Sequence, residues 1–200
     1  MSKILSIKGV NKKEEVEKCL KQAAEAVKRG RVIIYPTDTV YGIGCNISSG
    51  RVDDVFNIKK RAIEKPLSVA FSDIGMAGDF TKLTGEQEDF IRENLNKPMT
   101  FIVEKRCDRI SDVITAGGKS VGIRILGNCF IGDAIRYANL PIITTSANIS
   151  ENAAPWRFED IGEIKNNKLV DLIIDGGICT YRKPSVVIDL TRKPYRIIRQ

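Results

Sequence analysis

The stretch Arg31-Val32-Ile33-Ile34-Tyr35-Pro36-Thr37-Asp38-Thr39-Val40-Tyr41-Gly42-Ile43-Gly44 sets a fully apolar run against a proline and three polar residues, then resumes an apolar run. A short continuous apolar run enriched in β-branched residues reads as a buried strand. Polar residues in its middle predict that the backbone turns there, so Thr37, Asp38 and Thr39 emerge at the edge of a core. Gly42-Ile43-Gly44 reads as a strand that needs close backbone packing.

Upstream, residues 12–28 repeat apolar positions at Val16, Leu20, Ala23, Ala24 and Val27, a helical spacing stopped by Gly30. Ile4, Leu5 and Ile7 predict a short edge strand. Downstream, residues 53–60 predict a helix with Val52, Val55, Phe56 and Ile58 inward and the acids Asp53 and Asp54 at its start, where the helix dipole favours them. It ends in the basic group Lys59, Lys60, Arg61 and Lys65.

Further strands are predicted at 67–71, 99–104, 121–125, 141–145, 172–175, 185–190 and 196–199, with helices at 86–95 and 131–138. Phe90, Ile91 and Leu95 form the inner side of the first. In Val121-Gly122-Ile123-Arg124-Ile125 the period-2 alternation puts Arg124 opposite Ile123 and Ile125. Gly117-Gly118 lies in a polar loop spanning 105–119. Interspersed strands and helices predict an α/β fold: a single-domain twisted mixed sheet with flanking helices and a concave, positively lined cavity.

Composition narrows the chemistry. The 200 residues carry 32 Lys plus Arg against 25 Asp plus Glu, a formal charge of +7 that favours anionic partners such as a triphosphate or RNA. There is no histidine, which excludes a histidine general base and any Ser-His-Asp triad. The five cysteines at 19, 45, 107, 129 and 179 have no CxxC spacing, which argues against a disulfide framework or a structural zinc site. No apolar run is long enough to span a bilayer, so a reducing, cytoplasmic location without a membrane role is expected.

Thr37-Asp38-Thr39, Gly122 with Arg124, Ser146-Ala147-Asn148 and Asp175-Gly176-Gly177 stand where strands end. Their hydroxyls, amides and backbone N–H groups suit phosphate or carboxylate oxygens. Lys59, Arg61, Lys65 and Arg124 are candidates to neutralise a triphosphate. Two readings stay open for Asp38, a turn cap or a ligand to Mg2+ carried by a substrate phosphate. Trp156 either seals the core edge or stacks on a base. Neither a Walker pattern nor GxGxxG following a strand is present.

Four ordered segments resemble the signatures of the threonylcarbamoyl-AMP synthase family, the YrdC-like domain. They are Tyr35-Pro36-Thr37-Asp38-Thr39-Val40-Tyr41-Gly42, then Lys59-x-Arg61 with Lys65-Pro66, then Thr144-Thr145-Ser146-Ala147-Asn148-Ile149-Ser150, and Pro184-Ser185-Val186-Val187-Ile188-Asp189-Leu190-Thr191. Val121-Gly122-Ile123-Arg124 and Arg196-Ile197-Ile198-Arg199 extend the resemblance across residues 1–200 as one YrdC-like domain.

The resemblance implies a nucleotidyltransferase that joins L-threonine, bicarbonate or CO2, and ATP with Mg2+ into threonylcarbamoyl-AMP. Pyrophosphate is released, and the product feeds the downstream machinery that threonylcarbamoylates tRNA adenosine. It implies Lys59, Arg61, Asn148 and Arg199 at ATP, and Thr37, Lys65, Arg124, Ser146 and Ser185 at threonine, with Lys59, Arg61 and Arg124 catalytic. The alternative is a noncatalytic YrdC-like protein that binds double-stranded RNA or associates with the ribosome. The chain departs from the family pattern at Ala70, where relatives often carry histidine, and at Asn96-Lys97-Pro98, which stands in place of Pro-Gly-Pro.

Overall fold

A computed structural model describes residues 2–10, 12–106 and 108–200; Cys107 lies outside them. The strands are β1 (Lys3–Ser6), β2 (Ile33–Tyr35), β3 (Gly42–Gly44), β4 (Ser68–Phe71), β5 (Thr81–Lys82), β6 (Met99–Lys105), β7 (Ser120–Ile125), β8 (Ile142–Ser146), β9 (Leu172–Asp175), β10 (Val186–Asp189) and β11 (Arg196–Arg199). The helices are α1 (Lys13–Lys28), α2 (Val52–Lys59), α3 (Ile74–Phe80), α4 (Gly85–Glu93), α5 (Asp112–Thr115) and α6 (Phe130–Ala138), with a 3-10 segment at Phe158–Asn166.

The strands form one mixed sheet in the order β1-β9-β2-β3-β8-β4-β7-β6-β10-β11, with β5 beside β6. Parallel and antiparallel pairs alternate irregularly: β2 meets β9 in parallel and β3 in antiparallel register. The predicted turn at 36–39 is what lets β3 return along β2. β8 is shared, pairing with β3 through Thr145 and Ser146 and with β4 through Ile142, Ile143 and Thr144.

Because side chains alternate across a strand, each central strand feeds two cores. Ile34, Ile43, Val69, Phe71, Ile143 and Ile173 join the core that includes Val55, Phe56 and Ile58 of α2. Ile33, Tyr35, Ala70, Ile142, Leu172 and Ile174 face Ala23, Ala24 and Val27 of α1 and Ile131, Ala134 and Ile135 of α6. This second face becomes polar farther along the sheet, and there the cavity described below forms.

Three details differ from the sequence expectation. Residues 13–18 of α1 are exposed throughout, so Val16 lies outside the core and the buried stripe begins only at Cys19. Lys59, read as one of a basic group able to neutralise a triphosphate, is among the largest fully buried side chains. The short helix α3 had no clear apolar stripe to announce it and is started by Asp73, whose carboxylate accepts the Met76 N–H at 2.9 Å. No helix among the described residues is long and apolar enough to cross a membrane.

Two glycines are fixed by close backbone approach. A Cβ at Gly44 would stand 1.8 Å from the Ile143 carbonyl oxygen, and one at Gly132 would stand 1.7 Å from that of Leu126. Gly132 thus lets α6 settle onto the end of β7. Gly132→Ala is expected to lower unfolding stability by about 1–3 kcal/mol or more, since neither backbone can yield cheaply. Gly50, with nothing within 4 Å of its would-be Cβ, should accept alanine within about 0.5 kcal/mol. Urea unfolding of both variants checks this, and equal stability would contradict the close-approach argument.

Candidate active site

The polar part of the second sheet face is built by register. Gly42 lies opposite Ser146, Ser68 opposite both Thr144 and Gly122, Gly122 opposite Ile102, and Thr100 opposite Val187. These residues therefore share one face and together form the floor of a cavity of ≈ 300 Å³. Small residues keep this floor low: a Cβ on Gly122 would come within 2.8 Å of Ser68 Oγ, and one on Gly42 within 2.7 Å of the Tyr35 ring. The polar residues thus meet across the face of the sheet: Thr37, Gly42, Ser68, Ser146 and Arg199 stand at or beside strand ends, whereas Thr100, Gly122, Arg124 and Thr144 lie in mid-strand.

Arg61, Arg124 and Arg199 stand around this floor with Thr37, Ser146 and Ser185. No carboxylate is among the cavity's lining residues. Burial pushes Arg61 below the usual guanidinium range, with the charge of Arg199 next; burial does the same to Arg199, with the charge of Arg124 next. The guanidinium groups feel one another, and an anion in their midst relieves that repulsion.

Each guanidinium is held by separate partners. Arg61 donates to the carbonyls of Lys65 at 3.1 Å and Pro66 at 2.8 Å, closing the turn that follows α2. Arg199 donates to the Ser185 carbonyl at 2.9 Å and reaches Ser185 Oγ at 3.3 Å, while that hydroxyl pairs with Thr100 Oγ1 at 2.7 Å. Arg124 donates from Nη1 to Thr39 Oγ1 at 2.7 Å and from Nη2 to Asp38 Oδ1 at 2.6 Å, leaving its buried Nε without a partner.

The turn that carries Asp38 is capped by its neighbour. Thr37 Oγ1 accepts the backbone N–H groups of Thr39 and Val40 and donates to the Val40 carbonyl at 2.7 Å. The Asp38 carboxylate is thereby free of capping and serves as the Arg124 counterion. Thr39, singled out with Thr37 and Asp38, does line the cavity; Ser68 and Thr100 were not singled out from the sequence, although their alternation with apolar strand neighbours was a usable signal.

Four predicted residues do not line the cavity. Asn148 sits one bond behind the wall: its Oδ1 accepts Ser146 Oγ at 2.6 Å and its Nδ2 donates to the Asn152 carbonyl at 2.6 Å. Lys65 is exposed and pairs with Glu151 at 3.1 Å. Asp38 lines a separate, smaller cavity of ≈ 210 Å³ with Asn96, Asn128 and Tyr181. Lys59 lies inside, its Nζ bonded to the Ser146 carbonyl and to the carbonyl and Oδ1 of Asn148. Burial, and after it the charge of Arg61, pushes its ammonium down to about 7, while the three oxygens favour the protonated form.

Ala70, opposite Arg124 in register, is fully buried and adds no polar group to the site. Trp156 packs against the core and carries the guanidinium groups of Arg157 and Arg182 at 4.6 and 5.2 Å from its ring centre. Its core-sealing reading is thus the one observed.

The Arg124 side chain is 10% exposed and that of Asp38 31%, so solvent screens only part of their attraction. Asp38→Ala is expected to cost about 1–3 kcal/mol by stranding a buried guanidinium hydrogen bond. Asp38→Asn, which keeps one acceptor, should cost less. Chemical denaturation measures both, and parental stability in Asp38→Ala would mean that Arg124 is held otherwise.

A family model described as Telomere recombination, covering Sua5, YciO and YrdC, matches residues 25–200. A Methanocaldococcus jannaschii relative is 33% identical over 190 residues, 94% of this chain and 88% of its own length. The threonylcarbamoyl-AMP synthase of Pyrococcus abyssi is 28% identical over 193 residues, and this chain covers 56% of its length. The chain spans 45% of the corresponding Bacillus subtilis synthase, to which it is 30% identical over 158 residues. The crystal structure of P. abyssi Sua5 complexed with L-threonine superposes on 98% of this chain and 56% of its own, at 27% identity and a TM-score of 0.88. E. coli YciO, at 24% identity, shares the fold over 100% of this chain and 96% of its own with a TM-score of 0.85. With a family match over residues 25–200, the chain belongs to the Sua5/YciO/YrdC family.

Proposed function

We propose that this chain makes L-threonylcarbamoyl-AMP and pyrophosphate from L-threonine, bicarbonate or CO2, and ATP, supplying the intermediate for threonylcarbamoylation of tRNA adenosine. The observation that carries the reading is the meeting of three guanidinium groups over a hydroxyl-lined floor without a lining carboxylate. That arrangement suits a small ligand rich in anionic oxygens, and a cavity of ≈ 300 Å³ lies at the lower end of the usual range for small-molecule sites. Convergence of the three cations on one concave, partly enclosed floor favours a small-molecule ligand over an RNA duplex, which requires a basic stripe along an open groove.

In this reading Arg61 and Arg199 take phosphate oxygens, while Arg124 and Thr37 take the threonine, with Ser146 and Ser185 beside it. The unprotonated threonine amine captures CO2 as a carbamate with release of one proton to solvent, or condenses with bicarbonate with loss of water. A carbamate oxygen then attacks the α-phosphorus, forming the new P–O bond as the bond to the bridging oxygen breaks and pyrophosphate leaves. The attacking oxygen already carries charge, so no protein base is required, in keeping with a chain that has no histidine. Placement in line and stabilisation of charge on the phosphate oxygens provide the catalysis.

Among the described residues no group of three or more His, Cys, Asp or Glu could hold a metal ion, and Asp38 is engaged with Arg124. Mg2+ enters the proposal as the ion that accompanies ATP, where it offsets phosphate charge.

Arg61→Ala is expected to weaken ATP binding about 10- to 100-fold, the loss of a charge-assisted hydrogen bond. Arg124→Ala should leave ATP binding nearly intact and lower threonine-dependent pyrophosphate release by about 100-fold or more. Calorimetry with ATP and steady-state pyrophosphate release at varied threonine separate the two, with circular dichroism to verify folding. Parental turnover and threonine dependence in Arg124→Ala would remove Arg124 from the site.

A further inference from the structure

We propose that Lys59 is a positioning residue that clamps the loop over residues 146–150 from behind the cavity wall and makes no contact with the nucleotide. The inference rests on the nucleotide-binding reading above for its functional meaning, but the clamp itself is defined by the protein alone.

Lys59 is the last residue of α2 and is 1% exposed. An ammonium group has three protons, and three acceptors surround this one: the Ser146 carbonyl, the Asn148 carbonyl at 2.8 Å and Asn148 Oδ1 at 3.2 Å. No donor is left over for a phosphate. The main chain of the same residue takes part, because the Lys59 carbonyl accepts the Ser150 N–H at 2.8 Å. The loop is thus gripped near both of its ends by a single residue.

The end of α2 explains why Lys59 and Arg61 have opposite destinations. Lys60 adopts the left-handed conformation, with φ of 49°, and breaks the helix. Lys59 remains on the inward face of the last turn, whereas Arg61 leaves with the following segment and lines the cavity. Of the two cations in Lys59-x-Arg61, one faces the ligand and the other supports the wall. What the clamp fixes is the direction of Ser146: its hydroxyl donates to Asn148 Oδ1 at 2.6 Å, and that oxygen is itself held by Lys59 Nζ.

The test observes the Lys59 ammonium directly in the intact protein by nitrogen-15 NMR at pH 6, where it is protonated, with Lys59→Met used for assignment. The expected result is a slowly exchanging ammonium signal in the ligand-free protein that keeps its shift when MgATP saturates the site. Lys59→Met is expected to shift the backbone amides of residues 146–150 well beyond the shifts caused there by Arg61→Ala. A freely exchanging ammonium in the ligand-free protein would overturn the clamp, as would a large shift or a phosphorus coupling at Nζ on adding MgATP. If calorimetry detects no ATP binding, the nucleotide reading fails, while the ligand-free ammonium and the amide shifts still decide whether the clamp exists. Should Lys59→Met not fold, the unmodified protein's ammonium exchange and its response to MgATP decide the matter alone.

Discussion

Three guanidinium groups that share a partly enclosed space repel one another, and the structure around the cavity is organised to keep them there. Only Arg124 has a carboxylate partner, Asp38 at 2.6 Å. Arg61 and Arg199 are held by neutral carbonyls of Lys65, Pro66 and Ser185. A carbonyl orients a guanidinium without cancelling its charge, so the positive potential remains available to a ligand. Had each arginine been paired with an acid, the same geometry would present little net field. The lowered pKa directions of Arg61 and Arg199 reflect the cost of this arrangement, with burial first and a neighbouring cation second.

The sheet meets that cost by having one face do two jobs. Beneath α1 and α6 the face carries Tyr35, Ala70 and Ile142, and its packing anchors the strands. A few residues along, the same alternation delivers Ser68, Thr100, Gly122 and Thr144 to the cavity floor. A one-residue slip would send these groups into the opposite core and bring apolar residues to the floor, so pairing register and ligand chemistry are one constraint. Lys59 and Asn148 extend the rigid part to the loop beyond β8, since each is fastened to it by more than one hydrogen bond.

Most of the strands and the long helices were legible from their apolar patterns, as in the run Val32-Ile33-Ile34 and in Ala23, Ala24 and Val27 of α1. The turn at Thr37-Asp38-Thr39 was legible too, but the division of labour within it was not: the capping group is the Thr37 hydroxyl, and Asp38 pairs with a residue 86 positions away. Long-range partners leave no local trace. Lys59 illustrates the same limit more sharply, for a lysine at a helix end next to Lys60 and Arg61 has the sequence appearance of a solvated charge. Its burial depends on oxygens of Ser146 and Asn148, which only the folded sheet brings near. The site was therefore readable as a set of residue types and only partly as a set of roles.

The central claim is that this cavity couples threonine, an inorganic carbon source and ATP in one reaction. Mass spectrometry of the products formed from L-threonine, carbon-13 bicarbonate and MgATP tests it most directly. The account predicts an adenylate whose mass includes threonine and one labelled carbon, appearing together with pyrophosphate. Binding of ATP and threonine with no such adenylate formed, or an adenylate that lacks the labelled carbon, would contradict it.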